Sequence, residues 1–193
     1  MSNKPFIKVA ISSCLLGEKV RYDGTDKRQA ILRGIPKSII QFVPVCPEVA
    51  IGMGIPRPPI QLVEINNGIE AVQIDDLNKN YTEPLQTYGK QMANELENIS
   101  GYIFKARSPS CGVNSTPVLK NDMEYRKDTG IFAKQITSIL PDLPVIEETG
   151  LDTIENIQRF IYRSLDYCGQ HDFMACDSLE YLKEQIRKHL ERS

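Results

Sequence analysis

The sequence predicts an α/β fold: a largely parallel sheet with helices on both faces, Rossmann-like, with a β-hairpin insertion and a short helical C-terminal extension. Three observations lead there. Apolar runs of strand length alternate with amphipathic stretches of helical spacing, the pattern of a parallel sheet. Three of those runs end on a cysteine, at Cys14, Cys46 and Cys111. Residues 60 to 74 read instead as two alternating runs around Asn66-Asn67-Gly68, a hairpin with the Asn-Gly pair that tight turns favour.

The elements follow in order. "FIKVAISS" (6–13) is a strand that delivers Cys14. Residues 26 to 41 place Ile31, Ile35, Ile39 and Ile40 at near-helical spacing, which predicts a helix split by Pro36. "FVPVC" (42–46) is a buried strand, and the Gly- and Pro-rich "PEVAIGMGIPRPPI" after it is loop. After the hairpin, Thr82-Glu83-Pro84 opens a helix over 82–98. A strand over 101–106 leads to the third cysteine, and Asp128-Thr129 is the expected cap of a helix running to Leu140. "PVIEE" (144–148) is a last short strand. Amphipathic helices over 152–167 and 178–192 complete the chain, dividing it into a main domain, 1–150, and a helical extension, 151–193.

Composition narrows the function. A chain of 193 residues buries a core without needing disulfides. No apolar stretch approaches the roughly 20 residues that span a bilayer, and no apolar signal region precedes the first strand. The expected address is the cytoplasm. A net charge of −2 argues against gripping nucleic-acid backbone and for a small ligand. Five cysteines in a reducing compartment are no disulfide framework, which leaves metal or cluster ligation, or a nucleophile.

In parallel sheets, ligands bind outside the carboxyl ends of the strands, where all three cysteines fall; on neighbouring strands they converge. Structural zinc takes four ligands, usually as close pairs, and no such pair occurs here. Thiolates also anchor iron–sulfur clusters, and a 4Fe–4S cube held by three of them leaves one iron open to a substrate. A cysteine nucleophile would want a basic partner, which neither His171 nor His189 evidently supplies. Ser12, Ser13, Ser108 and Ser110 bring hydroxyls, and Glu48 a carboxyl suited to acid/base work. Arg57, fenced by prolines, is placed to orient a polar ligand, and Arg21 and Asp23 add polar groups. Plainer readings stand beside these: small buried thiols, a first-turn carboxylate at Glu48, an ordinary Asp23-Gly24 turn, a structural ion pair at Arg57. Cys168 and Cys176 have no strand-end context and read as structural; the histidines read as surface residues.

"SSCLLGEKVRYDGTDK", "PVCPEVAIGMGIPRPP" and "RSPSCGV", in this order within residues 6 to 148, resemble the DUF523 family. Its characterised members are thiouracil desulfurases of the TudS type. The resemblance implies a 4Fe–4S cluster on Cys14, Cys46 and Cys111, with one iron free of protein ligand and a tendency to be lost in air. It implies catalytic roles for Glu48, as proton carrier, for Ser110 and Ser108 near the substrate, and for Asp23; Ser13 and Arg57 read as substrate-binding. The implied reaction captures the sulfur of a thiolated pyrimidine base or nucleoside on the open iron and replaces it with water oxygen. No net electron is needed, in keeping with the lack of a flavin or nicotinamide fingerprint. Among partners, the acidic charge balance favours a small thiolated base or nucleoside over thiolated tRNA, and the short apolar stretches point to no membrane. The residues after about 150 exceed the minimal family domain and read as a packing appendage or a homodimer contact. The alternative is a non-catalytic protein that stores or senses a cluster or metal, which would need neither Glu48 nor Ser110.

Overall fold

Strand β1 (Ile7–Ser12) is buried on both faces because strands flank it on both sides and helices lie above and below. It pairs in parallel with β2 (Ile40–Val45) on one side and β5 (Ile99–Phe104) on the other; β8 (Val145–Glu147) adds to β5, giving the order β2-β1-β5-β8. The computed structural model describes residues 6–29, 32, 35, 39–65, 68–96, 98–171, 173 and 176–190.

Alternation along the strands sorts the core into two layers. Ile7, Val9, Ile11 and Ile103 face α4 (Ile154–Gln170) and α5 (Cys176–Leu190), meeting Ile157, Phe160, Ile161, Leu165, Leu182 and Ile186. Ala10, Tyr102 and Phe104 face the other way, toward Leu85 of α2 (Thr82–Glu95) and Phe132, Ala133 and Ile136 of α3 (Ile131–Ile139). Helices thus cover both faces, as the alternating pattern predicts, and the C-terminal pair supplies one of the two layers. Gly101 lets α4 approach β5: a Cβ there would stand 2.6 Å from Ser164 Oγ and 2.9 Å from the Phe160 ring.

A second sheet stands apart, in the order β4-β3-β6-β7. Strands β3 (Ile60–Ile65) and β4 (Gly68–Gln73) form the expected hairpin, whose turn residues Asn66 and Asn67 lie outside the described residues. The hairpin of β6 (Thr116–Lys120) and β7 (Met123–Asp128) has no counterpart in the sequence reading; β6 joins β3 in parallel. Its turn is Asn121-Asp122, with φ of 52° and 61°, the left-handed pair that a two-residue type I′ hairpin loop requires.

Other boundaries shift. Strand β2 begins at Ile40, so the expected helix over 26–41 ends as strand; Ile31 and Pro36 lie outside the described residues, and 26–29 is irregular. The N-cap of α3 is Gly130 rather than Asp128-Thr129, with no side-chain cap. A short helix, α1 (Pro47–Ala50), follows β2 where loop is expected. Among the described residues no helix is long and apolar enough to cross a membrane.

The chain leaves β1 for β2 on one side, whereas β5 leads to β8 on the other. Connections that diverge in this way open a crevice at the carboxyl ends of the two central strands.

Candidate active site

Three strand exits meet at that crevice. Beyond β1 the chain makes one 3-10 turn, Ser13–Leu16, which carries Cys14 and stops at Gly17, where φ is 95°. Beyond β2, Cys46 is the N-cap residue of α1, which puts Glu48 in the first turn of that helix. Beyond β5 comes the turn Ser108–Gly112, closed by a hydrogen bond from Gly112 N–H to the Ser108 carbonyl (2.8 Å). The Ser108 hydroxyl oxygen accepts from Cys111 N–H at 3.1 Å, setting the thiol's position.

All three thiols line one cavity of about 730 Å³. Its floor is the carboxyl edge of the first sheet. Its roof is the second sheet, through Ile60, Gln61, Leu62, Thr116 and Leu119. Burial pushes the Cys14 thiol up to about 11, with Cys46 adding to the effect and Lys105 and Arg21 opposing it. Burial likewise raises Cys46, and carries Cys111 well above the ordinary thiol value, with Cys46 and Glu48 contributing. Cys14 and Cys111 are both raised further by Cys46 across the cavity. Without a metal they are protonated at neutral pH, so metal entry must release protons.

Glu48 lines the cavity and is gripped from behind. Arg57 donates to its Oε2 through Nε (2.8 Å) and Nη2 (2.7 Å), and the Ser110 hydroxyl donates to its Oε1 (2.8 Å). Arg57 also donates to the Gly54 carbonyl (3.0 Å), and both Arg57 and Ser110 are buried. Neither is part of the cavity wall: they orient Glu48 rather than reach into the cavity. Ser108 and Ser13 do line it. Asp23 lies outside it, in an exposed turn, accepting from the Thr25 backbone N–H (3.0 Å), the Thr25 hydroxyl (2.6 Å) and Arg21 Nε (3.4 Å). The Thr25 hydroxyl, ahead of the arginine, holds the Asp23 carboxyl down near 2. Arg21 itself does line the cavity. Cys168, on α4, is buried in the apolar core and is not part of the cavity wall.

The sequence reading missed two residues here, Lys105 and Glu148. Lys105, first after β5, lines the cavity, and its ammonium pairs with the buried carboxylate of Glu148. The local signal was present: a lysine directly behind the apolar run Tyr102-Ile103-Phe104.

The donor set suits a thiophilic centre. Among the described residues, no three His, Cys, Asp or Glu side chains stand close enough to share a single metal ion. Three buried or half-buried thiols lining one cavity are a donor set that fits a thiophilic metal or iron–sulfur group.

Fold and site together define an α/β protein whose parallel sheet gathers three thiols and an oriented carboxylate at its topological switch point. The sequence model of the 2-thiouracil desulfurase family matches residues 9–149, and the chain belongs to that family. It is similar to the solved structure of the 4Fe–4S-dependent thiouracil desulfidase TudS (DUF523Vcz), at 27% identity and a TM-score of 0.60, over 81% of this chain and 99% of that one. No curated protein matches.

Proposed function

We propose that this protein exchanges the sulfur of a thiolated pyrimidine base or nucleoside for oxygen, 2-thiouracil to uracil being the type reaction, using a 4Fe–4S cluster on Cys14, Cys46 and Cys111. The observation that carries this reading is the convergence of the three thiols with Glu48 on one cavity, in a chain of the 2-thiouracil desulfurase family. The 4Fe–4S dependence of the similar TudS structure supports the choice of cluster. Held by Cys14, Cys46 and Cys111, the cluster would supply a thiophilic, Lewis-acidic iron to the substrate's sulfur, and water would be the source of the oxygen.

The net change, C=S plus H2O to C=O plus H2S, moves no electrons, but it does move two protons. Glu48 is the group to move them: Arg57 and Ser110 fix its orientation, and it lines the cavity. Ser108 accepts the Cys111 N–H, which leaves its own O–H to donate to a cavity occupant, as Ser13 can from the opposite strand exit. Arg57 and Ser110 are positioning residues. Asp23 acts one step further out, holding Arg21 at the cavity wall. The cavity volume lies in the range of small-molecule sites, which favours a base or nucleoside over tRNA. Free thiols of this kind persist in a reducing cytoplasm, and an aerobic preparation is expected to lose the cluster.

The test is anaerobic purification of wild type and Cys111→Ser, with iron, sulfide and 2-thiouracil turnover measured on both. Wild type should carry about four irons and four sulfides per chain and convert 2-thiouracil to uracil; the variant should be depleted in both respects. A wild-type protein without iron after reconstitution, or loaded and inert toward 2-thiouracil, would sink the reading.

A further inference from the structure

None of the hydrogen bonds of the Lys105–Glu148 pair goes to a thiol or to Glu48, yet Lys105 stands at the cavity. Glu148, on the 3-10 turn Glu148–Gly150 after β8, is buried and spends both oxygens on the segment behind β5. One pairs with Lys105 Nζ, and the other accepts the Ala106 N–H at 2.6 Å. The Lys105 backbone N–H donates to Ser12 Oγ at 3.0 Å, which locks the lysine's position between β1 and β5.

Burying such a pair is costly, and an apolar pair of similar volume would serve stability as well or better. The reason to keep it lies in what the ammonium does next. An ammonium has three N–H donors. Glu148 takes one and the Ala106 carbonyl another, at 3.0 Å, which leaves one for the cavity that Lys105 lines. Glu48 and Lys105 enter from strands on opposite sides of β1, one as an acceptor and the other as a donor.

Resting on the function proposed above, we propose that Lys105 is a substrate-contacting residue: its free N–H donates to the carbonyl oxygen of the thiolated pyrimidine, and Glu148 is its positioning residue. The site then reads a ring edge in which a carbonyl oxygen accompanies the thiocarbonyl, and so selects thio-oxo pyrimidines over thiolated rings without that oxygen. The contact is made by substrate and product alike, so it belongs to binding.

Lys105→Met, Lys105→Arg and Glu148→Gln, purified anaerobically with their clusters, decide this. The readouts are iron per chain, KM and kcat for 2-thiouracil, and the inhibition constant of uracil. Lys105→Met should keep its iron, raise KM and the uracil inhibition constant about tenfold or more, the loss of one charge-assisted hydrogen bond, and change kcat less. Lys105→Arg should recover part of the loss, and Glu148→Gln should show a smaller rise in the same two constants. Unchanged constants in Lys105→Met overturn the inference while wild-type turnover leaves the function standing. Iron and activity lost in proportion in all three variants also overturn it, since the pair would then serve the fold or the thiols. A wild type inert toward 2-thiouracil would take down both.

Discussion

At the scale of single residues, the site divides into groups that face the cavity and groups that hold them. Glu48 is the clearest case: a carboxylate fixed by Arg57 and Ser110 cannot swing away from its task. Glu48→Gln should therefore keep its iron and lose about 10²–10⁴-fold in kcat, the usual worth of a general acid/base, in steady-state assays on loaded protein. Cys14 gives a second test. Its thiol is raised from 9.0 to about 11 chiefly by burial, so metal-free protein should carry about 100-fold less thiolate there than a free cysteine and alkylate that much more slowly, which peptide mass spectrometry after iodoacetamide can measure. The folded thiol keeps its proton to higher pH than the unfolded one. Its contribution to metal-free stability is thus full below about pH 9 and lost as pH rises through about 11, so the melting temperature should fall across that window. Cys14, Cys46 and Glu48 were legible in the text because each follows an apolar run within two or three residues, and Cys111 because it closes the hydroxyl-rich turn that such a run leads into. Arg57 was legible as a placed arginine but not in its direction, since only the folded loop turns it nine positions back onto Glu48. The Lys105–Glu148 pair joins positions 43 apart across two strands, which no local pattern records.

Among the elements, the turn after β5 is the most constrained. Glu148 holds its entry at Lys105 and Ala106, while Glu147 holds its exit, accepting from Val113 N–H (2.6 Å) and the Ser115 hydroxyl (2.5 Å). Between them, α3 abuts the turn itself: Ile131 N–H donates to the Pro109 carbonyl (2.9 Å) and Ala133 N–H to that of Ser110 (3.0 Å). Gly130 is what allows the approach, since a Cβ there would stand 2.6 Å from the Ser110 carbonyl carbon and 2.8 Å from Cys111 N. Backbone cannot yield as a flexible side chain would. Gly130→Ala should cost about 1–3 kcal/mol in chemical denaturation and lower iron per chain by displacing Cys111. The strands of the first sheet could be read because each is built mainly of apolar residues, such as Val9-Ala10-Ile11, Phe42-Val43 and Tyr102-Ile103-Phe104. The β6–β7 hairpin was hidden because β7, "MEYRKD", is exposed along nearly its whole length and shows no apolar face; Asn121-Asp122 was the one available signal. The cap of α3 was misplaced because an Asp-Thr pair commonly caps, whereas here close packing, not capping, selects the glycine.

For the molecule as a whole, the C-terminal helices matter beyond their place at the end of the chain. The family match stops at residue 149, yet α4 and α5 form the layer that shields Ile7, Val9 and Ile11 of the central strand. Each fully buried apolar side chain contributes about 1.5–3 kcal/mol. Stripping Ile157, Phe160, Ile161 and Leu165 from that face therefore removes an amount comparable with a domain's entire net stability. A chain truncated after 150 should show no cooperative thermal transition by circular dichroism; a truncated chain that melts sharply near the full-length temperature would mark the helices as an appendage. Their amphipathic pattern was plain in the text, but the partner they cover was not, because a hydrophobic stripe does not say which strand it meets.

The wide separation of Cys14, Cys46 and Cys111 along the chain has a consequence for the order of events in making this protein. In a small zinc module, ligands lie close in sequence and the ion can organise an unfolded chain. Here the three thiols come together only once β1, β2 and β5 are in register, so under the proposed function the fold should form without its cluster. Delivery would then come last, to a mould already set, and the same mould should outlast the removal of its contents and accept them again.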